Sequence, residues 1–167
     1  MAAEQSKTET ATEHEVRVRA SPETVFEFFT DPHKIIQWMG TEATLDPRPG
    51  GVCRVNPSGQ AAMLGEFVEL DPPRRIVLTW GWENVLFQTP PQSTLVEVRF
   101  APDGADTVVS LSHRRLKPEM LALHRAGWTH YLPRLALVAA GRDPGRDPWR
   151  DMAISEDEMR AAGLLPH

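Results

Sequence analysis

Residues 65–82, GEFVELDPPRRIVLTWGW, set two strand patterns on either side of the corner Asp71-Pro72-Pro73. Proline fixes φ and carries no amide donor, so the pair cannot continue a central ladder, and the apolar residues flanking it belong to separate strands. The corner therefore predicts a chain reversal. Beyond it, Ile76, Leu78, Trp80 and Trp82 alternate with Arg75, Val77, Thr79 and Gly81. This period of two is that of a strand with one strongly apolar face. Such a face requires a large buried partner.

Working outward, Glu13 to Ala20 alternates in the same way, with Val16 and Val18 opposite Arg17 and Arg19, and reads as the first strand. Ser21-Pro22 then supplies an N-cap and a proline in the first helical position, and Asp31-Pro32 repeats the signal. Two short helices follow, the first crowding Val25, Phe26, Phe28 and Phe29 on one side and the second ending near Trp38-Met39-Gly40. Further strands are predicted at about 41–46, 51–56, 61–70, 74–82, 93–101 and 106–115, separated by Gly- and Pro-rich turns. The long connection Gly81–Gln92, with Phe87 and Pro90-Pro91, is an expected rim loop or lid. Pro118 opens a long helix in which Leu121, His124, Trp128, Leu132, Leu135 and Val138 form a stripe that must face the sheet. Pro133 lies inside this helix and is expected to bend it.

Several motifs share one order: DPRPGG at 46–51, the GEF-x-ELDPPRRIVLTW run, the STLVEVRF and TVVSLSHRRL strands, and Gly127-Trp128-x3-Leu132-x2-Leu135. In that order they resemble the activator-of-Hsp90-ATPase-like branch of the START-like (SRPBCC) superfamily, over roughly Glu13 to Ala140. The resemblance implies an α+β helix-grip fold: a curved seven-stranded antiparallel sheet around a long C-terminal helix, two short helices plugging one end, and an apolar cavity between. It implies no single reaction, because function resides in a site and not in a fold. Residues 1–12 read as a disordered leader, 13–140 as the START-like ligand-binding domain, and 141–167 as a linker and short C-terminal helix. In that last stretch Ser155 begins a capping box, and Trp149 offers a docking contact to the domain or to a second copy, as in a homodimer.

At 167 residues the chain suits one ordinary domain with tails, burying about two-thirds of its unfolded surface. A net charge of -5 leaves no basic field for nucleic acid, and no apolar run is long enough for a membrane span. The N-terminal MAAEQSKTETATE contains no apolar signal core, so the expected address is the cytoplasm.

The candidate cavity residues are Trp38, Met63, Phe67, Trp80, Trp82, Phe87, His113, His124, Trp128 and Tyr131. Strand parity aligns His113 with Val109 and Leu111, and His124 precedes Trp128 by one helical turn, so both imidazoles point inward. A neutral imidazole can donate at one nitrogen and accept at the other, which suits ligand recognition or acid/base work. The plainer reading is that each satisfies a core edge or helix turn, since buried polar groups need partners more often than they perform chemistry. The tryptophans and Tyr131 likewise suit either a flat apolar ligand or ordinary core. The six histidines have no metal-site spacing, no cofactor is implied, and Cys53 lacks an evident histidine partner, so neither a metal nor a catalytic nucleophile is expected. The leading expectation is binding of a small hydrophobic or aromatic molecule for sequestration, sensing or stress response. One alternative is a cofactor-free cyclase, dehydratase or hydrolase in which His113, His124 or Glu66 exchanges protons. The other is an Hsp90 co-chaperone-like interaction module.

Overall fold

The structure, a computed structural model, describes residues 10–57, 62–84, 87–151, 156–161 and 163. Strand β1 (Thr12–Val18) is followed by helices α1 (Pro22–Thr30) and α2 (Pro32–Ile35). Six strands come next: β2 (Glu42–Leu45), β3 (Val52–Asn56), β4 (Met63–Asp71), β5 (Arg75–Trp80), β6 (Thr94–Asp103) and β7 (Asp106–Arg114). A 3-10 turn at Pro118–Met120 leads into the long helix α3 (Leu121–Ala139), and the described chain ends with a 3-10 turn at Pro148–Asp151 and helix α4 (Glu156–Ala161). The seven strands form one antiparallel sheet in the order β1-β7-β6-β5-β4-β3-β2, a meander closed by β1 beside β7. This is the expected helix-grip architecture.

The start signals act as read. Ser21 Oγ accepts from the Thr24 amide at 3.3 Å and Asp31 Oδ1 from the His33 amide at 2.8 Å, each satisfying a donor that the first helical turn leaves unpaired. Val25, Phe26, Phe28 and Phe29 are all buried. The reversal falls where the proline pair requires it: Asp71 pairs with Arg75, and β4 and β5 run back along each other through Phe67 and Leu78. The register shifts between Phe67 and Glu69, which leaves Val68 half exposed on the outer face.

One departure from the sequence pattern has a physical cause. Val77, on the outward face of β5, is buried. It lies between Glu69 and Glu97 on the neighbouring strands, and the Arg75 guanidinium reaches both carboxylates, so an arch of charged side chains covers the valine. In α3, Pro133 falls on the exposed side and the helix continues through it to Ala139. The amide that Pro133 lacks would have bonded the carbonyl of Thr129, itself an exposed residue.

Of the α3 stripe, His124, Trp128, Leu132, Leu135 and Val138 are buried while Leu121 is only partly so, and Tyr131 joins them. Full burial of an apolar side chain of this size contributes about 1.5–3 kcal/mol, so this stripe is what clamps helix to sheet. Opposite it, Gly65 on β4 is required by close approach: a Cβ there would overlap the Thr79 carbonyl oxygen. The glycine lets β4 press against the end of β5, the position from which Trp80 projects.

Candidate functional site

Strands β5, β6 and β7 bring Trp80, Thr94 and His113 together, and α3 lays His124 and Trp128 over them. Trp80 pairs with Thr94 across β5 and β6, and Val96 pairs with His113 across β6 and β7, so the three inward residues lie on adjacent strands. The Trp80 ring centroid is 5.0 Å from that of Trp128 and 5.6 Å from that of His113, and the two histidine rings meet edge to face at 4.9 Å. Trp82, half-buried, stands 5.7 Å from Trp80 and 5.1 Å from Phe87. Phe87 is itself buried, so this part of the rim connection is packed down, whereas positions 85–86 lie outside the described residues.

Hydrogen bonds determine how each imidazole carries its proton. The Thr94 hydroxyl donates to the Trp80 carbonyl at 2.8 Å, so at 2.7 Å from His113 it can only accept, and Nε2 of His113 must be the donor. Nδ1 of His113 then accepts from Trp128 Nε1 at 3.2 Å. His124 has the other tautomer: Nδ1 donates to the Met120 carbonyl at 2.8 Å, and Nε2 accepts from Trp82 Nε1 at 3.0 Å. All four ring nitrogens are thus occupied by protein groups, and a second proton on either ring would face an indole N–H. Burial, with the neighbouring His124 and His14, holds His113 well below the usual histidine range. Burial pushes His124 down to about 4 against a smaller opposing effect of the Met120 carbonyl.

One polar atom in the cluster is left over. Trp80 is 5% exposed, and its Nε1–H is buried without a hydrogen-bond partner. A buried donor in this state costs about 1–3 kcal/mol. The other indole donors in the core are matched, since Trp38 Nε1 donates to the Phe28 carbonyl at 2.9 Å and those of Trp82 and Trp128 go to the histidines.

The remaining sequence candidates occupy different places. Met63 is buried and bridges to Trp82, and Phe67 is fully buried opposite Leu78. Trp38 belongs to a second aromatic group, 5.1 Å from Phe29, which in turn lies 5.4 Å from Phe100. Tyr131 sends its hydroxyl to the Pro57 carbonyl at 3.4 Å, and burial raises its pKa. Glu66 lies on the opposite face of β4 from Gly65 and Phe67, with its carboxylate near Gly50. Cys53 is buried and its thiol is pushed up to about 12, which removes the thiolate that nucleophilic chemistry needs. No group of three or more metal-ligating side chains occurs among the described residues.

Sequence reasoning missed Thr94 and the Met120 carbonyl, the groups that decide the two tautomers. Thr94 opens a strand and carries no motif, and Met120 contributes only backbone. Neither leaves a local signal. It also left open where Trp149 docks: the indole stacks on His130 at 3.9 Å and 8°, and meets Tyr131 edge-on at 5.7 Å. The Ser155 capping box lies outside the described residues.

Residues 19–140 match the family model described as activator of Hsp90 ATPase homolog 1-like protein. The chain belongs to that family. A solution structure of an AHSA1-like protein from Rhizobium etli is 41% identical, covers 88% of this chain and 92% of its own, and superposes with a TM-score of 0.67. The solution structure of CalU16 from Micromonospora echinospora is 28% identical over 92% of this chain and 80% of that one, with a TM-score of 0.68. An HSP90 activator from Plasmodium falciparum, 22% identical over 77% of this chain and 94% of that one, shares the fold at a TM-score of 0.59. No curated protein sequence matches the chain. No helix among the described residues is long and apolar enough to cross a membrane.

Proposed function

We propose that this AHSA1-like domain is a cytoplasmic binder of a small hydrophobic or aromatic molecule carrying one hydrogen-bond acceptor, held between the sheet and α3. The observation that carries the reading is the Trp80 Nε1–H, a buried donor without an acceptor inside an otherwise matched aromatic cluster. Buried polar groups are almost always paired, so an orphan of this kind marks where a water or a ligand atom belongs. The rings of Trp82, Trp128 and Phe87 supply rigid apolar area around it, at low entropic cost to a bound ring.

The enzyme reading loses its best candidates. His113 and His124 hold both nitrogens in internal bonds and stay neutral, and Glu66 lies on the other face of the sheet. A proton-transferring group needs a free site within reach of substrate. The interaction-module reading has in its favour the exposed Val52 and Val68 on the outer face and the HSP90-activator relative of the same fold. Two valines make a patch much smaller than a stable interface needs.

The test pairs two conservative variants. Trp80→Phe removes the orphan donor and keeps a ring, so it should leave stability unchanged or higher while weakening binding of 1-naphthol, followed by fluorescence. Trp128→Phe removes the donor to His113 Nδ1 and should cost about 0.5–1.5 kcal/mol in stability. If Trp80→Phe binds the probe as the parent does, the proposed site is wrong.

A further inference from the structure

A second concavity lies on the outside of the grip. It encloses about 520 Å³ between the 36–40 turn after α2, the C-terminal half of α3 and the 141–150 segment. Four arginines line it, Arg134, Arg142, Arg146 and Arg150, against two acids, Asp143 and Asp147. The formal balance is therefore +2, from four minus two, in a chain whose net charge is -5.

Both acids are already engaged. Asp143 Oδ1 accepts from the Gly145 amide at 2.8 Å. Asp147 Oδ1 accepts from His130 Nε2 at 2.7 Å and from the Trp149 amide at 2.9 Å. Arg134 anchors the segment, donating to the carbonyls of Pro144 at 3.3 Å and Gly145 at 3.0 Å. Its Nε–H is nevertheless buried without an acceptor, the closest acid oxygen being Asp147 Oδ2 at 3.9 Å, an ion-pairing distance too long for a hydrogen bond. Arg142 and Arg150 are exposed, with no ion-pair partner among the described residues, and Arg146 has an interaction of its own. The wall thus offers two unengaged guanidiniums and one buried donor in want of an oxygen.

We propose that this cleft is an anion site for a small phosphate-bearing molecule. Guanidinium forks match phosphate oxygens in a bidentate manner, and a dianion matches the two unengaged guanidiniums of Arg142 and Arg150. The volume exceeds that of a single phosphate, so the ligand carries an organic body or a second phosphoryl group. The 141–150 segment forms one wall of the site, and Trp149, stacked on His130, reports on it.

Isothermal titration of the full chain with inorganic phosphate, with pyrophosphate, and with acetate at matched ionic strength tests this. Pyrophosphate should bind saturably at one site and more tightly than phosphate, acetate should not bind measurably, and affinity should fall with added salt. Arg142→Gln combined with Arg150→Gln should weaken pyrophosphate binding about tenfold or more, with an unchanged melting temperature and unchanged 1-naphthol binding. Absence of saturable pyrophosphate binding, or equal affinity in parent and double variant, would overturn the proposal. Because both variant positions are exposed, misfolding does not confuse the result, and the apolar probe keeps this site separate from the one between sheet and helix.

Discussion

Lowering the pH should dismantle this domain through its two buried histidines. His124 titrates at about 4 in the fold against 6.5 in an unfolded chain, and His113 is lowered in the same sense. The folded pKa lies below the unfolded one, so the native state binds fewer protons. Their contribution is fully present above pH ~6.5 and is lost as pH falls, because the unfolded chain takes up protons that the native rings refuse. For His124 the gap between 6.5 and about 4, at about 1.4 kcal/mol per pH unit, gives a loss of roughly 3 kcal/mol. His113 adds to this with the same sign, so the slope near pH 5 approaches that of two protons. Against a total stability of about 5–15 kcal/mol this suffices to bring acid unfolding into the range of roughly pH 4–6. The carboxylates held low by arginine, Asp71, Glu83 and Glu97, act at lower pH, and the solvent exposure of Asp71 and Glu83 limits what those two contribute. Urea denaturation at intervals from pH 7.5 to 4.5 measures the slope. His124→Gln should remove a large part of it, and His113→Gln with His124→Gln most of it, the rest coming from His14, whose pKa burial also lowers, at the cost of one or two hydrogen bonds at neutral pH. Stability that stays flat down to pH 4.5, or a slope unaltered by the substitutions, would mean that the rings accept protons in the folded state and that the tautomer assignment is wrong.

Two further outcomes follow from the helix and the tail. Pro133→Ala should raise stability by up to about 3 kcal/mol in thermal melts, because the position is exposed and the helix already continues through it. A neutral or negative effect would show that the proline ring makes contacts worth more than the amide it lacks. Truncation after Ala140 should leave a cooperatively unfolding domain that loses about 1–2 kcal/mol, since His130 and Tyr131 lose the Trp149 ring beside them. A truncated chain that is unfolded would make the tail part of the core.

Much of this fold was legible because it rests on local signals. The proline corner, the capped starts at Ser21 and Asp31, and the alternation in β5 and β7 each depend on neighbours within a few residues. Inward placement of His113 followed from strand parity, and that of His124 from its one-turn spacing to Trp128. What they do inside did not, because it depends on Thr94, Trp82, Met120 and Trp128, brought together by sheet register and helix docking. Trp80 shows the same limit from the other side: its ring could be assigned to the inner face, but an N–H without a partner is visible only once every neighbour is placed. Val77 was assigned outward correctly, yet its burial depends on an arginine bridging two other strands. The arginine cleft joins a turn near residue 40 to a segment a hundred positions later, beyond the reach of any spacing rule.

The central claim concerns the Trp80 N–H, and the indole region of a nitrogen–proton correlation spectrum reads it directly. Each tryptophan gives one Nε1–H signal, and Trp80→Phe assigns the relevant one. On titration with 1-naphthol the account predicts that the Trp80 signal moves downfield and saturates as the hydroxyl oxygen accepts its proton, while the Trp38 signal stays in place. A probe that binds without moving the Trp80 signal, or a Trp80 N–H already held by a slowly exchanging water that no ligand displaces, would contradict it.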